Sequence, residues 1–147
     1  MPTQASLYEA ALSYLGRFSA TEAGLLRVLE RRIDRWRRAL PDPDGADDDV
    51  ATARRAARDV VRRLADLGVV NDAAYAESKA RGLIRSGVSR RGVAARLAAK
   101  GVGAEQARAV IPDDPDVELA AALTLARRRR IGPFRATDAD IDAIRRQ

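Results

Sequence analysis

The chain has 147 residues, 27 Lys and Arg against 21 Asp and Glu, a net charge of +6, and neither His nor Cys. Without those two residue types it cannot build a zinc finger, a thiol nucleophile, a Ser-His-Asp triad or a His general base, and it has no disulfide framework, as a reducing cytosol permits. No apolar run of about 18 residues exists to cross a bilayer, and Met1 to Ala10 lacks the basic-then-apolar order of a secretory leader, so a cytoplasmic protein is expected.

Ala supplies 30 of the apolar residues and the aromatic set is only Tyr8, Tyr14, Phe18, Trp36, Tyr75 and Phe134. Ala favours helix but buries little area, which predicts small helices on thin cores rather than a β fold. Charge divides the chain: residues 1–40 carry +3, 41–50 carry −5, 51–111 carry +8, 112–118 carry −4, 119–135 carry +5 and 136–147 carry −1. The two acidic, Pro-bearing stretches, Pro41 to Asp49 and Pro112 to Asp116, read as linkers. Their Asp clusters fit no Ca²⁺ loop and stand where helices begin, opposite the positive end of the helix dipole; no metal or cofactor is expected.

In chain order, Leu7, Ala11, Leu12 and Leu15 mark a first helix that stops near Gly16. Leu25, Leu26, Leu29, Ile33, Trp36 and Leu40 mark a second, with Ser19 or Thr21 as N-cap. Val50, Ala53, Ala57, Val60, Val61, Leu64 and Leu67 mark a third, stopped by Gly68 with Val69 as the apolar residue that follows a left-handed cap. Asp72 is expected to cap a fourth helix through Tyr75, Ala76, Ala80, Leu83 and Ile84, and Gly87 breaks it. Ser89 caps a fifth through Val93 and Leu97, ended by Gly101 and Val102. A sixth is expected over about 104–111 and a seventh over 117–130, ended by Gly132 and Pro133.

A slide of 68 positions superposes Leu15 on Leu83, Thr21 on Ser89, Leu25 on Val93 and Leu29 on Leu97. The pattern predicts an all-α chain of tandem, helix-turn-helix-like three-helix repeats: 6–68, containing the acidic linker 41–49, then 69–112, then a partial third over 116–147. Stacked repeats present an extended surface, which suits a long partner.

The strip Leu64-Ala-Asp-Leu-Gly-Val-Val-Asn-Asp-Ala-Ala-Tyr-Ala76, the spacing to Arg81 and Gly87, and Arg96-Leu97-Ala-Ala-Lys100-Gly101-Val102 resemble the RecX regulators of the RecA recombinase. Tyr14 to Ser19, Leu26 to Arg32 and Ala126 to Arg135 match the same family, so the resemblance spans roughly residues 6–135. Asn71 stands where the family has the first Asp of an Asp-Asp pair. The chain ends at Gln147 before the family's Gly-Phe strip, so the third repeat is expected to be incomplete. The resemblance implies an elongated, curved array of three-helix repeats. It also implies a monomeric, non-enzymatic protein that binds in the helical groove of the RecA filament on single-stranded DNA. There it would block filament growth and lower ATP hydrolysis, strand exchange and LexA cleavage in DNA recombination, DNA repair and the SOS response.

The residues by themselves point to binding. Arg outnumbers Lys 25 to 2, and the guanidinium fork pairs with carboxylate or phosphate as ammonium cannot. The candidate contact residues are Arg27 and Arg31, which with Arg35 and Arg38 run opposite the Leu29-Ile33-Trp36 face; Arg81 and Arg85, spaced i and i+4; Arg96 and Lys100, which repeat that spacing; and Arg127 and Arg128. Arg90 and Arg91 stand out because cations in a first helical turn oppose the dipole. Such a surface fits DNA phosphates or an acidic protein groove with nucleic acid beneath it. Few aromatics are available to stack on bases. Glu9, Glu22, Glu77 and Glu105 are the carboxylates open to a catalytic reading, each more simply a surface or helix-start residue, and there is no glycine-rich phosphate cradle. A helix-turn-helix transcriptional regulator reading DNA with residues 89–100 is the alternative, though that segment lacks Asn or Gln for adenine.

Overall fold

A computed structural model describes residues 1–135, which form seven α-helices and no strand. They are α1 (Gln4–Leu15), α2 (Glu22–Arg38), α3 (Asp47–Asp66), α4 (Asp72–Arg85), α5 (Arg90–Ala99), α6 (Ala104–Val110) and α7 (Pro115–Arg129), with 3₁₀ turns at Asp44–Ala46 and Gly132–Phe134. Packing is strongest within the triplets α1–α3 and α4–α6, and α7 lies against α4. The architecture is all-α with tandem three-helix repeats, as the spacing predicts. The expected incompleteness of the third repeat concerns residues 136–147, which lie outside the described residues.

The first repeat closes over Leu7, Ala11, Leu25, Leu29, Ile33, Val60 and Leu64. The second closes over Ala76, Ala80, Val93, Leu97, Val102 and Ala107. Thr21 and Ser89 cap α2 and α5 by accepting the backbone N–H of Gly24 and Gly92, and Leu25/Leu29 and Val93/Leu97 are buried in the same order; the 68-residue slide holds for these helices. It slips by one in the first helices, where buried Leu7 and Ala11 correspond to buried Ala76 and Ala80, an offset of 69.

Three helix ends use one device. Gly68, Gly87 and Gly101 have positive φ (72°, 86°, 89°), and the residue after each donates its N–H to a carbonyl five residues back: Val69 to Leu64, Val88 to Leu83, Val102 to Leu97, as the left-handed cap requires. α7 ends the same way, with Ile131 donating to Ala126, but its left-handed residue is Arg130, at φ 52°. That conformation costs a non-glycine residue about 1–2 kcal/mol.

Several sequence expectations need local correction: α2 ends at Arg38, short of Leu40, and Leu67 lies just beyond α3 and is exposed. The apolar residue that docks after Gly68 is Val70, which enters the first core, while Val69 is 49% exposed. The cap of α4 is Asn71, whose Oδ1 accepts the N–H of Ala74 at 2.9 Å, not Asp72. α6 ends at Val110 rather than Ile111. α7 begins at Pro115, because Asp114 caps it and Pro suits the first helical turn, so the second acidic linker is shorter than its composition suggests.

Asp72 is free of the cap because it reaches the first repeat, where its Oδ1 accepts the N–H of Glu22 at 2.8 Å. This contact belongs to a seam between the repeats. Thr21, the one buried polar residue among those described, donates its hydroxyl to the carbonyl of Lys100. A Cβ on Gly101 would stand 2.5 Å from the Cβ of Ala23. At the other end of the second repeat, a Cβ on Gly87 would stand 2.8 Å from the backbone N of Leu125 in α7. The two turn glycines of the second repeat are therefore also where its neighbours come closest.

Candidate nucleic-acid and partner interface

The basic side chains divide by what they touch. Arg81 pairs with Glu77 one helical turn away at 2.7 Å. Arg90 is held more firmly: its guanidinium pairs with Asp113 and its backbone N–H donates to Glu118 Oε2 at 3.0 Å. The absence of an acid in the first turn of α5, which makes Arg90 and Arg91 stand out in the sequence, is thus offset by two carboxylates that arrive from the 112–118 stretch. Those carboxylates occupy the N-terminal end of α5, the end that a recognition helix would turn toward bases.

Arg128 donates to the carbonyl of Ser86 at 2.7 Å, filling an acceptor at the end of α4. Arg127 lies over the Phe134 ring at 5.2 Å. Arg27 makes a long contact, 3.5 Å, with the carbonyl of Ala99 across the seam. Lys100 contributes its backbone carbonyl to Thr21, and its side chain is exposed.

Arg31, Arg85, Arg91 and Arg96 are exposed and have no ion-pair partner among the described residues. Arg31 lies on α2 opposite Leu25, Leu29 and Ile33, and Arg85 on α4 opposite Ala76 and Ala80, so both project outward because the core takes the other face. Arg96 shares a notch of about 370 Å³ with Arg128 and Arg129, built around Gly87 where α7 crosses the second repeat. Arg91 shares another, of about 360 Å³, with Arg90, Arg108 and Asp113. The structure thus brings Arg96 to Arg128, and Arg90 to Arg91. Sequence reasoning did not select Arg129 and Arg108. Arg129 directly follows the candidate pair Arg127 and Arg128 in sequence, whereas Arg108 carries no local signal and gains its place only by packing.

Residues 71–111 match the family model described as RecX, second three-helix domain. The Regulatory protein RecX of Myxococcus xanthus is 41% identical over 131 residues, which cover 88% of this chain and 67% of that protein. The chain belongs to the RecX family. The Regulatory protein RecX of Agrobacterium fabrum is 44% identical over 71 residues, 48% of this chain and 38% of that one. Two crystal structures share the RecX fold at 20% identity: one of regulatory protein RecX, with a TM-score of 0.64 over 98% of this chain and 72% of the other, and one of RecX from Lactobacillus salivarius, with 0.61 over 97% and 94%.

Proposed function

We propose that this RecX-family chain is a non-enzymatic cytoplasmic regulator that binds the RecA filament on single-stranded DNA. It lies in the filament's helical groove and lowers ATP hydrolysis, strand exchange and LexA cleavage, tempering DNA repair and the SOS response. The observation that carries this reading is the outward set of guanidiniums without internal partners, Arg31, Arg85, Arg91 and Arg96, distributed over both repeats of a RecX-family array. Spread along successive repeats, such charges suit a long anionic partner better than a compact one. Contacts to DNA phosphates supply affinity and salt dependence with little sequence information.

The helix-turn-helix alternative is disfavoured by Asp113 and Glu118 at the start of α5, since carboxylates there repel the phosphates that flank a major groove. The deciding experiment is single-strand-dependent ATP hydrolysis by the RecA of the same organism, with this protein added below one copy per recombinase. The expected result is a progressive loss of hydrolysis. Unchanged hydrolysis at every ratio, or tight duplex binding with a sequence preference that survives high salt, would overturn the reading.

A further inference from the structure

A groove of about 980 Å³ runs between the turn that joins α1 to α2 and the side of α4. Three strongly exposed apolar side chains line it: Leu12 (42%), Phe18 (55%) and Val69 (49%). Phe18 is held in place, its ring 5.2 Å from Tyr14 and its N–H donated to the Tyr14 carbonyl. Exposed apolar side chains that converge on one concavity mark a binding surface more than scattered ones do. The charged residues lining the groove are Arg17 and Lys79, with no carboxylate among them, and neither cation has an ion-pair partner among the described residues.

Gly82 adds a separate observation. It sits inside α4, where glycine weakens a helix relative to alanine, and a Cβ built on it meets nothing within 4 Å. Neither a left-handed backbone nor a close neighbour in this chain requires glycine there. Gly82 does line the groove, and a missing side chain lets an incoming backbone approach α4 closely.

We propose that this groove docks a short amphipathic segment of a partner protein, its apolar side chains against Phe18, Leu12 and Val69 and its carboxylates toward Arg17 and Lys79. Packing of an apolar helical face into a groove supplies the affinity, and the two rim cations select an acidic partner over a basic one. Arg31, Arg85 and Arg96 do not line the groove, Arg85 standing one helical turn beyond Gly82 on α4, and the inference holds whether or not the partner is a recombinase.

The test is fluorescence anisotropy with the whole chain and a labelled helical peptide of about four turns, Leu at i, i+3, i+4 and i+7 and Glu elsewhere, beside the same peptide with Lys for Glu. The expected result is saturable binding of the Glu peptide and at least about tenfold weaker binding of the Lys peptide. Gly82→Leu, which adds a side chain to the groove at a position whose Cβ meets nothing within 4 Å, is expected to weaken the Glu peptide at least about tenfold, and Arg17→Glu with Lys79→Glu to do the same. Gly82→Ala separates docking from folding: it is expected to raise Tm by about 2 °C while weakening the peptide. No saturable binding, equal binding of both peptides, or affinity unchanged in Gly82→Leu would each overturn the proposal.

Discussion

In the first repeat, helices of 12, 17 and 20 residues close over a core that includes Leu7, Leu25, Leu29, Ile33, Val60 and Leu64; in the second, helices of 14, 10 and 7 residues close over Ala76, Ala80, Val93, Leu97, Val102 and Ala107. A buried Leu contributes about 1.5–3 kcal/mol and Ala far less, so the first core outweighs the second in the kind of residue it buries as well as in their number. The second repeat offsets the difference at its borders, with Gly101, Lys100 and Asp72 against the start of α2 and Gly87 against α7. The first repeat acts as a scaffold, and the second, which carries Arg85, Arg91 and Arg96, is held by its neighbours.

Breaking the scaffold is expected to have the largest effect. Leu29→Ala leaves a cavity in the first core and is expected to cost about 3 kcal/mol in urea unfolding. Because α2 also supplies the seam, hydrogen-exchange protection should fall in both repeats. Protection that falls only in α1–α3 would show the second repeat to be independent.

Gly101→Ala is next, at about 2 kcal/mol, from a left-handed backbone and a collision with Ala23. Here protection should fall in α4–α6 and persist in α1–α3, and an equal loss in both would contradict the asymmetry. Thr21→Ala removes a cap and strips the Lys100 carbonyl of its donor. It is expected to cost about 1.5 kcal/mol, clearly more than Ser89→Ala, whose hydroxyl only caps α5. Equal costs would mean that the seam adds nothing. Asp72→Asn is expected to cost about 0.5 kcal/mol and to lose its effect at high salt; a salt-independent cost would assign Asp72 a packing role.

Helix positions, the caps Thr21 and Ser89 and the glycine stops were legible because each depends on residues within one or two turns. The pairings that sort the basic residues were not. Arg90 finds Asp113 and Glu118 across 23 and 28 positions, and Asp72 finds Glu22 across 50, separations at which no spacing rule operates. Asn71 and Asp72 are both good caps by composition, and only the partner of Asp72 decides between them. Val69 and Val70 are equally apolar, and the direction in which the chain leaves Gly68 chooses which one is buried. The groove at Phe18 was not legible because its walls come from separate segments; Gly82 inside the α4 pattern was its one local signal.

The proposal that outward, unpartnered guanidiniums engage the recombinase filament is tested most directly by charge reversal in the ATP hydrolysis assay. Arg31→Glu, Arg85→Glu and Arg96→Glu together leave every internal ion pair in place and are expected to raise the half-inhibitory concentration at least about tenfold, with helicity unchanged. Arg90→Gln, which breaks only the pairing with Asp113, is expected to leave inhibition within about twofold of the unaltered protein. Inhibition unaffected by the triple reversal but abolished by Arg90→Gln would contradict the account.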